Sequence, residues 1–371
     1  MVDHLRPVHA EISIENLIHN YEYLTEFASP SRICAVVKAD AYGHGGVEVA
    51  KALYGQGCRD FAVALVEEGV ELRRAGVDGE ILVLSQPPLD ALSTAAKYQI
   101  TVTAYTQEAI KAIVSGDEEE RPRFQLKVDT GMYRVGAAME DLASIAGVIG
   151  RGDIDGIWSH FAVADEVSEE SIEFTQLQLS RFQSALSTLR EAGLNPKQLH
   201  IANSSGLLYY PESRLTKGRV GLALYGYAPK ESGDGRALRP VMSLISEVSF
   251  VKVVDAGERP SYGRRRPMSK RGKVVTVPIG YADGVPRRLF DGGGEVIVGG
   301  SRFPFAGVVT MDQILIDVGD EEAIAIGDRV TLIGTDGAQK IGADEWAKRC
   351  STITWEILCG ISKRVPRIYL E

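Results

Sequence analysis

Short apolar runs alternate with amphipathic stretches from Ile33 to Leu224, and this alternation is the clearest pattern in the sequence. Each run has the length of a buried strand, and helical spacing of apolar residues follows every run but the last. The longest helix is predicted over Glu169–Ala192, with Ile172 and Leu179 on its apolar face. The predicted strands are Ile33–Ala39, Phe61–Ala64, Ile81–Leu84, Thr101–Ala104, Phe124–Val128, Ile154–His160, Leu199–Ala202 and Arg219–Leu224.

Eight strands joined by helices predict an α/β fold, an N-terminal (β/α)8 barrel with its chemistry at the carboxyl ends of the strands. A doubly wound open sheet is the alternative. That alternative is weaker because no GxGxxG sequence opens the first helix.

The pattern changes beyond about Arg236, where strands separated by Gly and Asp turns run with little helix until Ala343–Ile361. This predicts a C-terminal, mostly antiparallel β domain. Residues 224–240 have the Pro, Gly and Ser content of a linker. We therefore expect a barrel over residues 1–238 and a β domain over residues 239–371.

Composition narrows the function classes. A net charge of -9 argues against nucleic acid as a partner, and we interpret the basic cluster at 264–273 as a solvated loop. The N-terminus lacks a signal-peptide core and no apolar span could cross a bilayer, so we expect a cytoplasmic protein with no membrane partner. Four cysteines without metal spacing predict reduced, mostly buried thiols and no metal site.

Lys38, in the stretch AVVKADAYGHG at 35–45, ends the first predicted strand. Partial burial lowers the pKa of a lysine, which then forms imines or accepts protons. Ser204, Gly221 and Arg219 belong to the same barrel face, and together they suggest a cofactor with a phosphate and a reactive carbonyl. Pyridoxal phosphate fits that description. The alternative is a solvated strand-end lysine beside ordinary barrel loops.

Several motifs in order give the chain its resemblance to the alanine racemase family over essentially its whole length. They are AVVKADAYGHG, LKVDTGMYRVG (126–136), SHFA (159–162), HIANSSG (200–206), GRVGLALYG (218–226), PSYGR (260–264), VPIGYADG (277–284), TMDQ (310–313) and RVPR (364–367). The resemblance implies a pyridoxal 5'-phosphate enzyme that interconverts L-alanine and D-alanine. It also implies a role in peptidoglycan supply and a homodimer in which one subunit's β domain completes the other's active site.

The resemblance also implies residue roles. Lys38 would hold the cofactor and act as one base, and Tyr262 from the neighbouring subunit would act as the other. Two bases suit racemisation because the proton leaves one face of a planar carbanion and returns on the other. Arg219 would face the pyridine nitrogen and keep it unprotonated, since a guanidinium does not give up its proton. Further cofactor contacts are implied for Tyr42, Arg134, His160, Ser204, Gly221, Leu222 and Trp355, substrate contacts for Arg134 and Met311, and supporting roles for Asn203 and Asp312.

Lys127 matches a family position that is often carbamylated and then braces Arg134. The alternative is a plain lysine paired with Asp129. Trp355 stands where the family usually has tyrosine, which is either a tolerated aromatic exchange or a tighter alanine pocket. A racemase of serine or lysine, a decarboxylase of the same fold type, and a non-catalytic cofactor carrier are the competing functions. The full β domain with Tyr262 and Met311 favours an enzyme.

Overall fold

The computed structural model describes residues 5–117, 120–228, 238–321 and 323–371. The chain forms two compact units, one of residues 17–41 and 46–239 and the other of residues up to Asn16, 42–45 and 240–371. Most of the predicted linker lies at 229–237, outside the described residues. The two units are described in turn.

The strands and helices are numbered in the order in which they occur along the chain. The strands are β1 (Val8–Ser13), β2 (Arg32–Val36), β3 (Asp60–Val63), β4 (Glu80–Val83), β5 (Val102–Ala104), β6 (Phe124–Lys127), β7 (Gly152–Trp158), β8 (Leu194–His200), β9 (Lys217–Val220), β10 (Met242–Glu247), β11 (Phe250–Val254), β12 (Gly272–Val277), β13 (Glu295–Val298), β14 (Ser301–Pro304), β15 (Ile314–Gly319), β16 (Arg329–Asp336), β17 (Gln339–Ile341) and β18 (Arg367–Leu370). The helices are α1 (Ile14–Ala28), α2 (Lys38–Gly43), α3 (Gly46–Gly55), α4 (Val66–Arg74), α5 (Leu92–Lys97), α6 (Gln107–Val114), α7 (Leu142–Ile149), α8 (Glu169–Glu191), α9 (Ser204–Tyr209), α10 (Ala343–Cys350) and α11 (Thr354–Gly360).

The first unit is the predicted barrel, which confirms the fold class. Its parallel strands form two runs, β4-β3-β2-β9 and β5-β6-β7-β8. A parallel bridge between Leu82 and Thr101 joins β4 to the start of β5. On the other side, Thr216 N donates to Leu199 O over 3.0 Å and Arg219 N donates to Ala202 O over 3.0 Å, linking β8 to β9. These bonds close the barrel.

Helix α8 lies where the sequence predicts it, but its buried face differs in one residue. Ser168 caps its N-terminus by accepting from Ser171 N. Leu179 is buried as predicted, next to the buried Phe182, whereas Ile172 is 38% exposed, so its assignment to the apolar face is wrong. The N-terminal part of α8 instead buries small polar residues, Ser171 and Thr175, in that row.

The second unit is built on β strands. Its larger sheet has the order β14-β13-β16-β10-β1-β18, with β17 paired to β16, and its smaller sheet has the order β11-β12-β15. All neighbours are antiparallel except β1 and β18. Strand β1 lies between β10 and β18, so the start of the chain belongs to this unit, which differs from the sequence-based division at residue 238.

Among the described residues, no helix is both long and apolar enough to cross a membrane. Cys34, Cys58 and Cys350 are buried free thiols, and Cys359 is an exposed one. Burial raises the pKa of Cys34 to about 12 and that of Cys58 to about 11, which makes both thiols unreactive at neutral pH.

Candidate active site

Lys38 stands at the carboxyl end of β2 and begins the short helix α2, which has an unusual backbone. Ala39, Asp40, Ala41 and Tyr42 all have φ between +52° and +55°. Consecutive non-glycine residues rarely adopt the left-handed region, because it costs roughly 1–2 kcal/mol per residue. Such a turn persists only where its surroundings hold it, and it sets the direction in which Lys38 leaves the strand.

Two carboxylates hold this turn within the barrel unit. Glu68 Oε1 accepts from Ala39 N over 2.7 Å, and its Oε2 accepts from Ala64 N over 2.7 Å. Asp40 Oδ1 accepts from Gly46 N over 2.6 Å at the start of α3. The carboxylates therefore satisfy backbone donors on both sides of the left-handed residues.

Arg219 projects from β9 into the barrel and is 3% exposed. Its Nη1 lies 2.7 Å from His200 Nδ1, and its Nη2 donates to Ser159 O over 2.6 Å and lies 3.1 Å from His160 Nδ1. It forms no ion pair with a carboxylate among the described residues, and burial lowers its pKa to about 10. Arg219 thus stays charged at neutral pH, and its acceptors among the described residues contact the two terminal nitrogens and not Nε.

The two histidines beside Arg219 are neutral. Burial and the Arg219 charge hold the pKa of His160 and of His200 well below the ordinary value. An arginine has only donors, so each histidine must accept through Nδ1 and carry its proton on Nε2. The guanidinium thus favours the Nε2–H tautomer of both rings.

Lys127 ends β6 and is 3% exposed. Burial, together with the charges of Arg219 and Arg134, lowers its pKa to about 7. Its Nζ lies 4.4 Å from the ring centre of Trp158, and the buried indole N–H of Trp158 has no acceptor in the part of the chain that is described. Asp129 is occupied with its own loop, where Oδ1 accepts from Gly131 N over 2.8 Å and from Tyr133 N over 3.1 Å. Among the described residues Lys127 therefore forms no ion pair with a carboxylate, although the charge of Asp129 partly opposes the lowering of its pKa.

Two helical turns begin together at the carboxyl ends of β8 and β9. Ser204 opens α9, and its Oγ accepts from Gly221 N over 3.2 Å. Gly221 precedes the turn Leu222–Tyr225, and Ala223 N of that turn donates to the same Oγ over 3.5 Å. Exposed N–H groups at converging helix N-termini bind phosphate. Asn203 instead caps α9 by accepting from Gly206 N, which is a structural role.

These residues fit pyridoxal phosphate. The paired N-termini with the Ser204 hydroxyl suit a phosphate, and the buried, charged Arg219 suits a neutral ring nitrogen. Arg134 is exposed on the loop after β6, close enough to lower the pKa of Lys127. The barrel unit therefore brings together Lys38, Lys127, Arg134, His160, Ser204, Arg219, Gly221 and Leu222 at the carboxyl ends of its strands.

In the β unit, Tyr262 lies in an exposed turn. Its side chain is 71% exposed, and the turn is held by Ser261, whose Oγ donates to Val308 O over 2.7 Å. Ser261, Gly263 and Arg264 have φ of +69°, +71° and +47°. A rigid, strained turn thus presents the tyrosine outward.

Met311 lies on a second loop of the β unit and is 53% exposed. The loop packs tightly on Gly280, since a Cβ there would lie 2.3 Å from Met311 O. Asp312 Oδ1 accepts from Arg364 Nη2 over 2.7 Å, and Arg364 also approaches Asp283, which Arg6 binds. Asp312 therefore anchors the loop.

Tyr42 and Trp355 also belong to the β unit. Tyr42 is buried, and burial raises its pKa above the ordinary value. Trp355 lies near the start of α11 and is half-buried.

Basic side chains of the cluster at 264–273 form ion pairs with acidic side chains. The pairs are Arg264–Glu258, Arg265–Asp291, Arg266–Asp317, Lys270–Asp320 and Arg271–Asp255. Such pairing leaves little free positive charge for phosphates. The described residues contain no group of three or more His, Cys, Asp or Glu side chains arranged to bind a metal.

Glu68, Gln125 and His200 are part of the site's framework that sequence reasoning did not single out. Gln125 lies two residues before Lys127 on β6, and Gln198 two before His200 on β8. In a strand, side chains two apart share a face. That spacing was the available signal.

The chain is similar to known proteins in both its N-terminal and its C-terminal part. The family profile described as "Alanine racemase, N-terminal domain" matches residues 12–229, and "Alanine racemase, C-terminal domain" matches residues 241–369. The chain is 39% identical to the alanine racemase of Clostridium tetani, covering 100% of this chain and 97% of that protein. Alanine racemase from E. faecalis is similar in structure, with a TM-score of 0.90, 35% identity and 98% of each chain covered. Alanine racemase from Streptomyces coelicolor A3(2) has a TM-score of 0.90, 33% identity and 100% of each chain covered.

Proposed function

The chain belongs to the alanine racemase family, and on that premise we propose the role of each residue in its candidate active site. Its activity is that of the family, the pyridoxal-phosphate-dependent interconversion of L-alanine and D-alanine, which makes it an isomerase. D-alanine supply for peptidoglycan is the family's role. The roles of individual residues, the subunit arrangement and the location in the cell are proposals.

One observation carries the residue assignment: Arg219 is a buried cation without a carboxylate partner among the described residues, at the carboxyl end of the barrel that holds Lys38. When bound, pyridoxal phosphate supplies a conjugated ring that stabilises the carbanion left at the substrate Cα. Arg219 would face the ring nitrogen and keep it unprotonated, since a guanidinium does not give up its proton. Ser204, Gly221 and Leu222 bind the phosphate together with Tyr42, and His160 and Trp355 complete the cofactor contacts.

Lys38 and Tyr262 move the proton. The left-handed turn aims Lys38 from the end of β2, where its amine holds the cofactor and then exchanges the Cα proton on one face. Tyr262 exchanges the proton on the other face. A tyrosine hydroxyl has an ordinary pKa of about 10, and it acts as a base only beside positive charge or a hydrogen-bond donor. The Nε2–H of His160, fixed by Arg219, is such a donor.

Lys127 is a carbamate in the active protein. Its neutral amine attacks carbon dioxide, forms the N–C bond and releases a proton, giving an anion. A pKa of about 7 supports this step, because only the uncharged amine is nucleophilic. The anion also fits its surroundings, namely Arg219, Arg134 and the indole N–H of Trp158 that has no other acceptor among the described residues. It then braces Arg134, which binds the cofactor oxygen and the substrate.

The active protein is a cytoplasmic homodimer in which Tyr262 and Met311 of one subunit complete the site around Lys38 of the other. The outward presentation of Tyr262 on a strained turn supports this arrangement. The backbone N–H of Met311 binds the substrate carboxylate, and Asp312 and Asn203 act in support by fixing the Met311 loop and the start of α9.

The test is D-alanine formation from L-alanine by the purified protein with added cofactor. Lys38→Ala and Tyr262→Phe each reduce racemisation by roughly a hundredfold or more, since a positioned acid-base group contributes about that much. Lys51→Ala on the surface of α3 and Tyr98→Phe on the barrel exterior are the matched controls and retain activity. Full activity in either Lys38→Ala or Tyr262→Phe contradicts the two-base assignment.

A further inference from the structure

Gln125 is a fully buried side chain on β6 that links two ionisable groups in the barrel. Its Nε2 donates to Glu80 Oε1 over 2.8 Å. Its Oε1 lies 2.6 Å from His200 Nε2. His200 Nδ1 in turn lies 2.7 Å from Arg219 Nη1. One amide therefore stands between a carboxylate and the imidazole that contacts the cofactor-binding arginine.

The direction of every bond in this chain follows from its two ends. An ionised glutamate only accepts hydrogen bonds, so the Gln125 amide must point its NH2 at Glu80. Its oxygen then faces His200, whose Nε2 must donate. A neutral imidazole with its proton on Nε2 accepts through Nδ1, which is what the donor Nη1 of Arg219 requires. Lys217 Nζ lies 3.3 Å from Glu80 Oε2, so this carboxylate also has a cationic partner.

The barrel leaves room for this link at Gly156. Strand β7 pairs Gly156 with both Gln125 on β6 and Gln198 on β8. A Cβ at Gly156 would lie 3.1 Å from Gln125 Oε1 and 2.9 Å from Gln198 O. The absent side chain lets the Gln125 amide reach across β7 to His200 on β8.

We propose that Gln125 is a positioning residue, which holds His200 in the Nε2–H tautomer so that His200 Nδ1 can orient the guanidinium of Arg219. This proposal rests on the function proposed above, because Arg219 is the residue that meets the cofactor ring. Gln125 does not touch the cofactor. It acts through His200.

Gln198 is a matched control on the next strand but one. Its Nε2 donates to Glu80 Oε2 over 2.8 Å, as Gln125 donates to Oε1. Its own oxygen is buried without a partner among the described residues, so it has no link to His200. Gln198→Met and Gln125→Met each remove one donor to Glu80, but only Gln125→Met removes the acceptor of His200.

Gln125→Glu is a conservative variant with little change in shape. Its carboxyl group lies against the Glu80 carboxylate and takes a proton, because two adjacent carboxylates do not both ionise readily. The protonated carboxyl group then donates to Glu80, and its carbonyl oxygen accepts from His200 Nε2 as the amide oxygen does. This variant is therefore expected to keep the tautomer and the cofactor affinity of the wild type.

The experiment has two readouts besides activity. The first is the 15N NMR spectrum of the His200 ring in protein labelled with 15N-histidine, with and without cofactor. The second is the dissociation constant for pyridoxal phosphate, measured by absorbance between pH 6 and 9. Wild-type protein is expected to show a single Nε2–H tautomer and little dependence on pH. Gln125→Met is expected to lose the single tautomer and to bind cofactor roughly tenfold more weakly, as for one buried hydrogen bond. Gln198→Met is expected to keep both properties.

Three results overturn the proposal: a wild-type His200 with its proton on Nδ1, a Gln125→Met variant with unchanged tautomer and affinity, or equal losses in Gln125→Met and Gln198→Met. If Gln125→Met does not fold, the wild-type spectrum and the tautomer and cofactor affinity of Gln125→Glu still decide, because a Gln125→Glu protein that loses the Nε2–H tautomer contradicts the proposal. Failure of the proposed function can be told apart from failure of this proposal. If the protein does not racemise alanine, the His200 tautomer and the cofactor affinity can still be measured.

Discussion

Lys127 is a buried amine in a pocket that favours negative charge. Its neighbours Arg219 and Arg134 are cations, and the lowered pKa, about 7, leaves much of the amine neutral at physiological pH. We predict that carbon dioxide converts it to a carbamate, and more completely as the pH rises above 7. Protein labelled with 13C-bicarbonate is expected to show a carbamate resonance by NMR that Lys127→Met lacks.

Activity provides the second measurement for the carbamate. Wild-type protein in carbonate-free buffer is expected to lose activity and to recover it with bicarbonate, whereas Lys127→Met is low throughout. A loss of roughly ten- to a hundredfold is expected if Arg134 shifts by about an ångström. If wild-type protein lacks the resonance and its activity does not change with bicarbonate, Lys127 is an unmodified lysine and the prediction is wrong.

The left-handed turn of α2 needs an external anchor, and Glu68 is that anchor. Glu68→Ala leaves the N–H groups of Ala39, Ala64 and Leu65 without their acceptor. We predict a loss of about 2 kcal/mol in the free energy of unfolding, typical of hydrogen bonds to a charged group, and weaker cofactor binding. Chemical denaturation and a cofactor titration measure these two effects.

Glu67 supplies the control for the turn. It is the exposed neighbour of Glu68 on α4, and Glu67→Ala is expected to change stability by less than about 0.5 kcal/mol. Glu68→Gln keeps one carbonyl oxygen and is expected to fall between the two. Equal effects of Glu67→Ala and Glu68→Ala mean that helix charge, rather than the turn, is responsible.

Strands such as β3 and β4 were predictable because they are buried along nearly their whole length. The predicted strand Leu199–Ala202 was wrong in its bounds, because β8 spans Leu194–His200 and is polar and only partly buried. The predicted strand Arg219–Leu224 was also wrong in its bounds, because β9 ends at Val220 and Leu222–Tyr225 is a helical turn. Strand β1 was missed, although its residues alternate between buried and partly exposed, as a half-buried strand does. Its partners β10 and β18 are far along the chain, and sequence periodicity carries no information about pairing at that range. Ile172 was misplaced because helical spacing defines a row of side chains and not what covers it.

The site was predictable where a single residue type carries the chemistry, as with Lys38, Lys127 and Arg219. The site was not predictable where the role of a residue depends on which partner its hydrogen bonds reach. Gln125 and Gln198 are the same residue type on alternate strands of the barrel, and only the bond to His200 distinguishes them. The left-handed φ angles of α2 were equally hidden, since Ala, Asp and Tyr give no hint of them.

At the scale of the molecule, the two proposed bases belong to different units, with Lys38 in the barrel unit and Tyr262 in the β unit. A site completed by the partner subunit makes a prediction that a self-contained site does not. Lys38→Ala and Tyr262→Phe proteins are each inactive alone. Unfolded together and refolded, they form hybrid dimers in which one site has the intact Lys38 of one chain and the intact Tyr262 of the other.

The size of the recovery follows from the symmetry of the dimer. Random pairing makes about half of the dimers hybrid and restores one site in two of each hybrid, so the mixture is expected to recover about a quarter of wild-type activity. Lys38→Ala mixed with the Lys38→Ala/Tyr262→Phe double variant is the control and recovers none, because neither chain supplies the lysine. If the first mixture also stays inactive while light scattering shows dimers, Lys38 and Tyr262 act within one chain, and the β unit serves its own barrel.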